Sequence, residues 1–115
     1  MNEKIERMNG IMADINDIYV MLCQGDVSEA FQKLASVVAN VNGVLAELIN
    51  NIPKLCQYDI NIPSDVILQQ LNNMLEAYEN RDTILLSDTL HYEITDTLQF
   101  YKEILQECIK ENIEL

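Results

Sequence analysis

A chain of 115 residues, 49% hydrophobic, carries nineteen Asp and Glu against seven Lys and Arg, for a formal net charge of −12. That length bounds the fold to one compact domain spanning 1–115 with a single core, and the hydrophobic content excludes a disordered chain. The negative field repels phosphate backbones and anionic lipid, which excludes ordinary nucleic-acid binding and attachment to a membrane surface.

In the first segment Ile5, Met8, Met12, Ile15, Tyr19 and Leu22 fall at three- and four-residue steps, with Ile11 and Ile18 beside them. That spacing predicts an amphipathic helix. Gly25 supplies its stop, because a residue without Cβ enters the left-handed cap conformation freely, and Asp26 with Glu29 predicts a capping box for the next helix.

The second helix carries Val27, Phe31, Leu34, Val38, Val41, Leu45, Leu48 and Ile52 inward, with Val37 and Val44 alongside. Its other side is unusual for so acidic a protein. Ser36, Ala39, Asn40, Gly43, Ala46, Glu47 and Asn50 fall there, and Glu47 is the only charged residue between Lys33 and Lys54. Small neutral side chains let another surface approach, so this face predicts either the seam of a homodimer or partner groove, or a face covered within the monomer by the fourth helix or by the 53–63 connector. Gly43 inside a helix, disfavoured by about 1 kcal/mol relative to Ala, fits the close approach of another backbone.

Pro53 ends or kinks this helix, and residues 56–63 read as a connector whose Tyr58, Ile60 and Ile62 plug one end of the bundle. A third and shortest helix begins near Pro63, Ser64 and Asp65 and turns Ile67, Leu68, Leu71, Met74, Leu75 and Tyr78 inward. After a tight turn, Asp82 caps a fourth helix that buries Leu86, Leu90, Ile94, Leu98, Tyr101, Leu105 and Cys108. The fold class is therefore all-α, an antiparallel up-down-up-down four-helix bundle, with Cys56 and Cys108 toward one end and Cys23 toward the other.

Three widely spaced cysteines without a C-x-x-C pattern predict reduced, buried thiols rather than disulfides or a zinc site. The polar, acidic start of the chain lacks the layout of a secretory signal, and the longest apolar stretch is interrupted by Asn and Glu, so a cytoplasmic protein with no membrane span is expected. Met1, Met8, Met12, Met21 and Met74 fit core filling. Glu103, Glu107, Glu111 and Glu114 fit a solvated face.

Two stretches, QGDVSEAFQKL at 24–34 and DTILLSDTLHYEI at 82–94, together resemble small uncharacterised bacterial proteins of a domain-of-unknown-function family. The signature positions here are Leu85, Leu86, Asp88, Leu90, Tyr92 and Glu93. The resemblance implies a helical fold with no assigned activity and transfers no catalytic residues.

Asp88, Tyr92 and Asp96 fall on one side of helix four, and His91 lies one turn after Asp88. An acid three residues before a histidine is half of the paired motif that binds metal in ferritin-like bundles, but the chain has one histidine and no second half. No nucleophile elbow accompanies it, and three glycines leave no phosphate-cradling loop. The chain therefore reads as a non-catalytic protein–protein interaction module, an adaptor or chaperone-like bundle that needs no cofactor and whose partner is another protein or a second copy of itself. The alternative is a metal- or small-ligand-binding bundle that uses Asp88 and His91.

Overall fold

The computed structural model describes residues 2–115, so Met1 lies outside the described residues. Four helices account for nearly all of them: α1 (Asn2–Cys23), α2 (Val27–Cys56), α3 (Ser64–Glu79) and α4 (residues 83–110), the last of which opens into a π-helical turn over Thr89–Ile94. No strand occurs among the described residues.

Neighbouring helices meet in inverted order. Lys4 of α1 pairs with Glu47 of α2 at 2.5 Å, and Arg7 lies beside Gly43. Tyr19 of α1 faces His91 of α4, while Cys23 shares a hollow with Ile84. Phe31 near the start of α2 faces Tyr78 near the end of α3, and Gln70 of α3 accepts a 2.5 Å hydrogen bond from Thr97 of α4. Each helix thus lies beside those adjacent to it in the chain, and α4 returns to α1.

The core is the stripe that periodicity marks. Met8, Ile11, Ile15 and Ile18 of α1, Leu34, Val38, Val41, Leu45 and Leu48 of α2, and all seven inward positions of α4 are buried. Three expectations change. Leu68 is exposed and Ala77 buried in its place, Val27 is 42% exposed, and Tyr58 faces outward while Ile60 and Ile62 pack on the core. Val27 opens its helix beyond the last core layer, so nothing stands above it to cover its side chain.

Helix ends follow one rule. At α1, Asp26 N–H donates to Met21 O at 2.9 Å and Gly25 N–H to Leu22 O at 3.2 Å, the paired bonds of a Schellman terminus. The same pair recurs with Ile60 and Asp59, with Asp82 and Arg81, and with Ile113 and Asn112. The left-handed residue is Gly25 at φ 85° in the first, and Asp59, Arg81 and Asn112 at φ 61°, 52° and 57° in the others. Asp26 makes no side-chain cap bond, which corrects the expected capping box. Its backbone closes α1, and at φ −81°, ψ 59° it is not in the extended conformation from which a cap side chain reaches forward. Asp82, at ψ 91°, is extended and does cap α4, accepting from Leu85 N–H at 3.1 Å.

Pro53 does not end α2, which continues three residues beyond it to Cys56. So near the terminus, the missing N–H removes one bond from a single last turn. Cys23 and Cys56 are exposed, against the expectation of buried thiols, because each is the final residue of its helix, where the chain leaves the core. Cys108, on the inward stripe of α4, is buried, and that burial pushes its thiol pKa up.

The expected close backbone at Gly43 is also absent. A Cβ built there would meet only the Arg7 guanidinium, at 3.3 Å. That group ends a flexible side chain and can move by the few tenths of an ångström required. Gly43→Ala is therefore expected to stabilise the protein by about 0.5–1 kcal/mol through helix propensity, read as a higher urea midpoint at unchanged slope. A lower midpoint would mean that the Arg7 position cannot yield.

Candidate functional site

The π turn of α4 is an extra residue in an otherwise regular heptad stripe. Inward positions run 86, 90, 94, 98, 101, 105 and 108, so three four-residue steps occur in succession before the pattern alternates. In an α-helix each such step overshoots a full turn by about 40°, and three in a row would carry the stripe off the core. One residue absorbed between 90 and 94 restores strict alternation of four and three, and the widened turn at Thr89–Ile94 absorbs it. Thr95 secures the widening: its N–H bonds Leu90 O in the five-residue π register, and its hydroxyl donates to the same oxygen at 2.9 Å. Thr89, buried in the turn, has a hydroxyl with no partner. Such insertions are frequent at functional sites.

This turn carries the chain's single histidine. His91 lies flat on Tyr19 of α1, with ring centroids 3.9 Å apart and planes 10° from parallel, and Tyr92 meets it edge-on at 4.7 Å. The neighbouring Tyr92 phenol, with the Cys23 thiol adding to it, pushes the Tyr19 phenol up to about 12. The four side chains form one small aromatic and thiol cluster on the seam between α1 and α4. Asp88 and Tyr92 are exposed and His91 is half-buried against Tyr19, so the Asp88 and His91 pair does not enter the core as the ferritin-like motif requires. Among the described residues, no three His, Cys, Asp or Glu side chains come together.

The two ends of the bundle differ. At one end the connector brings Ile60 and Ile62 onto the core and the C-terminal segment adds Ile113 and Leu115. At the other end only the two short turns, 24–26 and 80–82, join the helices, and they leave hollows across the end of the bundle. The larger, about 820 Å³, is lined by Phe31 and Gln32 of α2 and by Tyr78, Glu79 and Arg81 at the end of α3. The smaller, about 260 Å³, lies between Tyr19, Leu22 and Cys23 of α1 and Ile84, Ser87 and Asp88 of α4. Val27 and Thr83 line both, so the two hollows adjoin and together make up a trench divided at these residues. The Arg81 guanidinium sits 5.7 Å from the Phe31 ring centroid, and the Phe31 ring stacks toward Tyr78 at 6.4 Å. Ile84, 76% exposed, stands at the edge.

The family-signature residues divide between core and surface. Leu86 and Leu90 are buried, while Leu85, Asp88, Tyr92 and Glu93 are exposed on the turn and the helix before it. A family model described as a domain of unknown function, DUF8042, matches residues 1–104. The chain belongs to that family. No curated protein and no solved structure matches it. The DUF8042 match takes in all of α1, α2 and α3, the π turn and most of α4.

The other candidate face of this DUF8042 chain is uncovered. On α2, Ser36, Ala39, Gly43, Ala46 and Asn50 are exposed and Asn40 and Glu47 half-exposed, with neither α4 nor the connector above them. The version in which the monomer covers its own small face is therefore wrong. A four-helix square leaves each helix one outward side, and here the outward side of α2 is the small one. The cations missing from α2 are supplied by α1, whose Lys4 and Arg7 lie along the border of the face at Glu47 and Gly43. No helix among the described residues is long and apolar enough to cross a membrane.

Sequence reasoning missed the trench and the π turn. The second had a signal, the three consecutive four-residue steps. The first had only the shortness of two turns, beside a seven-residue connector at the far end.

Proposed function

We propose that this protein is a non-catalytic protein–protein interaction module, an adaptor or chaperone-like bundle that holds a segment of another protein across its open end. One observation carries the reading. Val27 and Ile84 are apolar, exposed, and placed together along a trench that Phe31 and Tyr78 also line, and grouped apolar surface beside a hollow is the kind that marks a docking site. Cytoplasmic residence belongs to the same reading, since the exposed thiols of Cys23 and Cys56 suit a reducing compartment.

Affinity capture with wild type and with Ile84→Ser tests it. Proteins retained by wild type and lost from the variant are expected. Identical retention by both would remove the trench from the reading.

A second reading is self-association along α2, supported by the uncovered Ser36, Ala39 and Ala46. Under it, Gly43→Leu shifts the oligomeric state in light scattering while helicity is kept. A protein that is monomeric before and after the substitution excludes it. The metal reading has no comparable support, because His91 is engaged by the ring of Tyr19 and Asp88 stands in solvent.

A further inference from the structure

We infer that the occupant of the trench is a basic amphipathic segment, a helix whose apolar side chains enter over Val27 and Ile84 and whose Lys or Arg residues meet the carboxylates around them. The inference rests on the interaction reading and adds the chemistry of the partner.

Shape and apolarity come first. The larger hollow, about 820 Å³, is roomy enough for one or two large side chains, and beside its polar Ser28, Gln32 and Thr83 the Phe31 and Tyr78 rings give it an apolar part that an aliphatic or aromatic anchor would cover. Val27 and Thr83, common to both hollows, set them side by side, so that one segment can place an anchor in each. That is the helix-in-groove mode of recognition, with anchors at three- and four-residue spacing.

Charge then selects the partner. Glu79 and Asp88 line the trench, Asp26 and Asp82 stand in the two turns that bound it, and Arg81 is the only cation among the lining residues. Arg81 lies 5.7 Å from the Phe31 ring centroid and is exposed, so the lining sets two carboxylates against one cation. Beyond the trench, the whole chain adds a field of net charge −12 that draws cations and repels a second copy of the protein or an acidic segment. An apolar part inside an acidic border is complementary to a helix with one apolar face and basic flanks.

The test uses the full chain and three dye-labelled synthetic peptides of equal length, read by fluorescence anisotropy. One peptide carries Leu at helical spacing with Lys elsewhere, one has the same composition scrambled so that no apolar face forms, and one has Glu in place of every Lys. The first is expected to bind, and to weaken at least tenfold with Ile84→Ser and several-fold with Asp88→Asn. It should be unaffected by Leu68→Ser, a change at an exposed apolar side chain on α3 that does not line the trench. Circular dichroism confirms that each variant keeps its helicity, and all three positions are exposed, so folding is not at risk.

Equal binding of the scrambled peptide, insensitive to Ile84→Ser, would reduce the interaction to general charge attraction and overturn the inference. No binding of the Lys peptide overturns it as well. Binding of the Glu peptide that is lost in Ile84→Ser would overturn the basic partner while leaving the trench as a docking site. Failure of the capture comparison described above removes the interaction reading itself, so the two failures are distinguishable.

Discussion

Deleting Gln99 is expected to unfold the protein, and deleting Glu93 is expected to leave it folded. Both residues are exposed on α4, so the difference lies in the backbone. Glu93 falls within the π turn, where the helix already holds one residue more than the heptad stripe needs. Its loss lets the turn close to ordinary α geometry and keeps Ile94, Leu98 and Tyr101 facing the core. Gln99 lies in regular α-helix, and losing it rotates everything on one side by about 100°. Residues 100–110 then swing Tyr101, Ile104, Leu105 and Cys108 outward, or the π turn unwinds and Ile94 and Leu98 are displaced instead. Exposing a large apolar side chain forfeits about 1.5–3 kcal/mol. Several together approach the whole stability of a domain, about 5–15 kcal/mol. Thermal melts followed by circular dichroism separate the two deletions, and equal melting temperatures would refute the insertion account.

Tyr101→Ala is expected to destabilise the fold by about 3–5 kcal/mol, the range for truncating a buried aromatic side chain. Tyr101 is 1% exposed, heads the fully buried side chains by volume, and its hydroxyl accepts from Asn51 Nδ2 at 3.3 Å. The cavity would open between α2 and α4, which touch across the bundle at this pair. Tyr101→Phe keeps the ring and should lose only about 0.5–1.5 kcal/mol.

The hydroxyl also sets a pH response. Burial, opposed by the Asn51 hydrogen bond and reinforced by the nearby Glu47 carboxylate, pushes the phenol from its ordinary 10.0 up to about 12. In the folded state the proton is held more tightly than in the unfolded chain, so this contribution is intact below pH 10 and is lost as pH rises from 10 through about 12. Urea midpoints at about pH 8 and about pH 11 should differ more for wild type than for Tyr101→Phe. An identical decline in both would place the alkaline sensitivity elsewhere.

Much of this architecture can be read in the chain because it rests on periodic burial. The inward residues of α1, α2 and α4 repeat at helical spacing with few interruptions, and Gly25 and Asp82 mark a stop and a start by local chemistry alone. Features that depend on neighbours were hidden. Asp59 and Asn112 are of types that tolerate the left-handed conformation, but Arg81 holds one that its type does not announce, because the termini are fixed by where Ile60, Asp82 and Ile113 must go next. Gly43 suggested a tight contact, and only the placement of α1 reveals a flexible Arg7 there.

The candidate site was half legible. The run Leu85 to Glu93 stood out as a signature, and its buried leucines were placed correctly. That His91 would lie on Tyr19, seventy-two residues earlier in the chain, follows from the closure of α4 onto α1 at the π turn. Neither is a property of the run itself. The trench is less local still, arising where only two short turns cross one end of the bundle.

The unequal accessibility of the three sulfurs equips the native molecule for spectroscopy. Cys23 and Cys56 accept maleimide dyes at opposite poles of a body 45 Å long, while Cys108 is shielded from the reagent. A donor and acceptor pair could thus be installed without altering the polypeptide, with one fluorophore beside the trench and the other at the connector. Occupation of the trench would register at the first dye and leave the second as an internal reference.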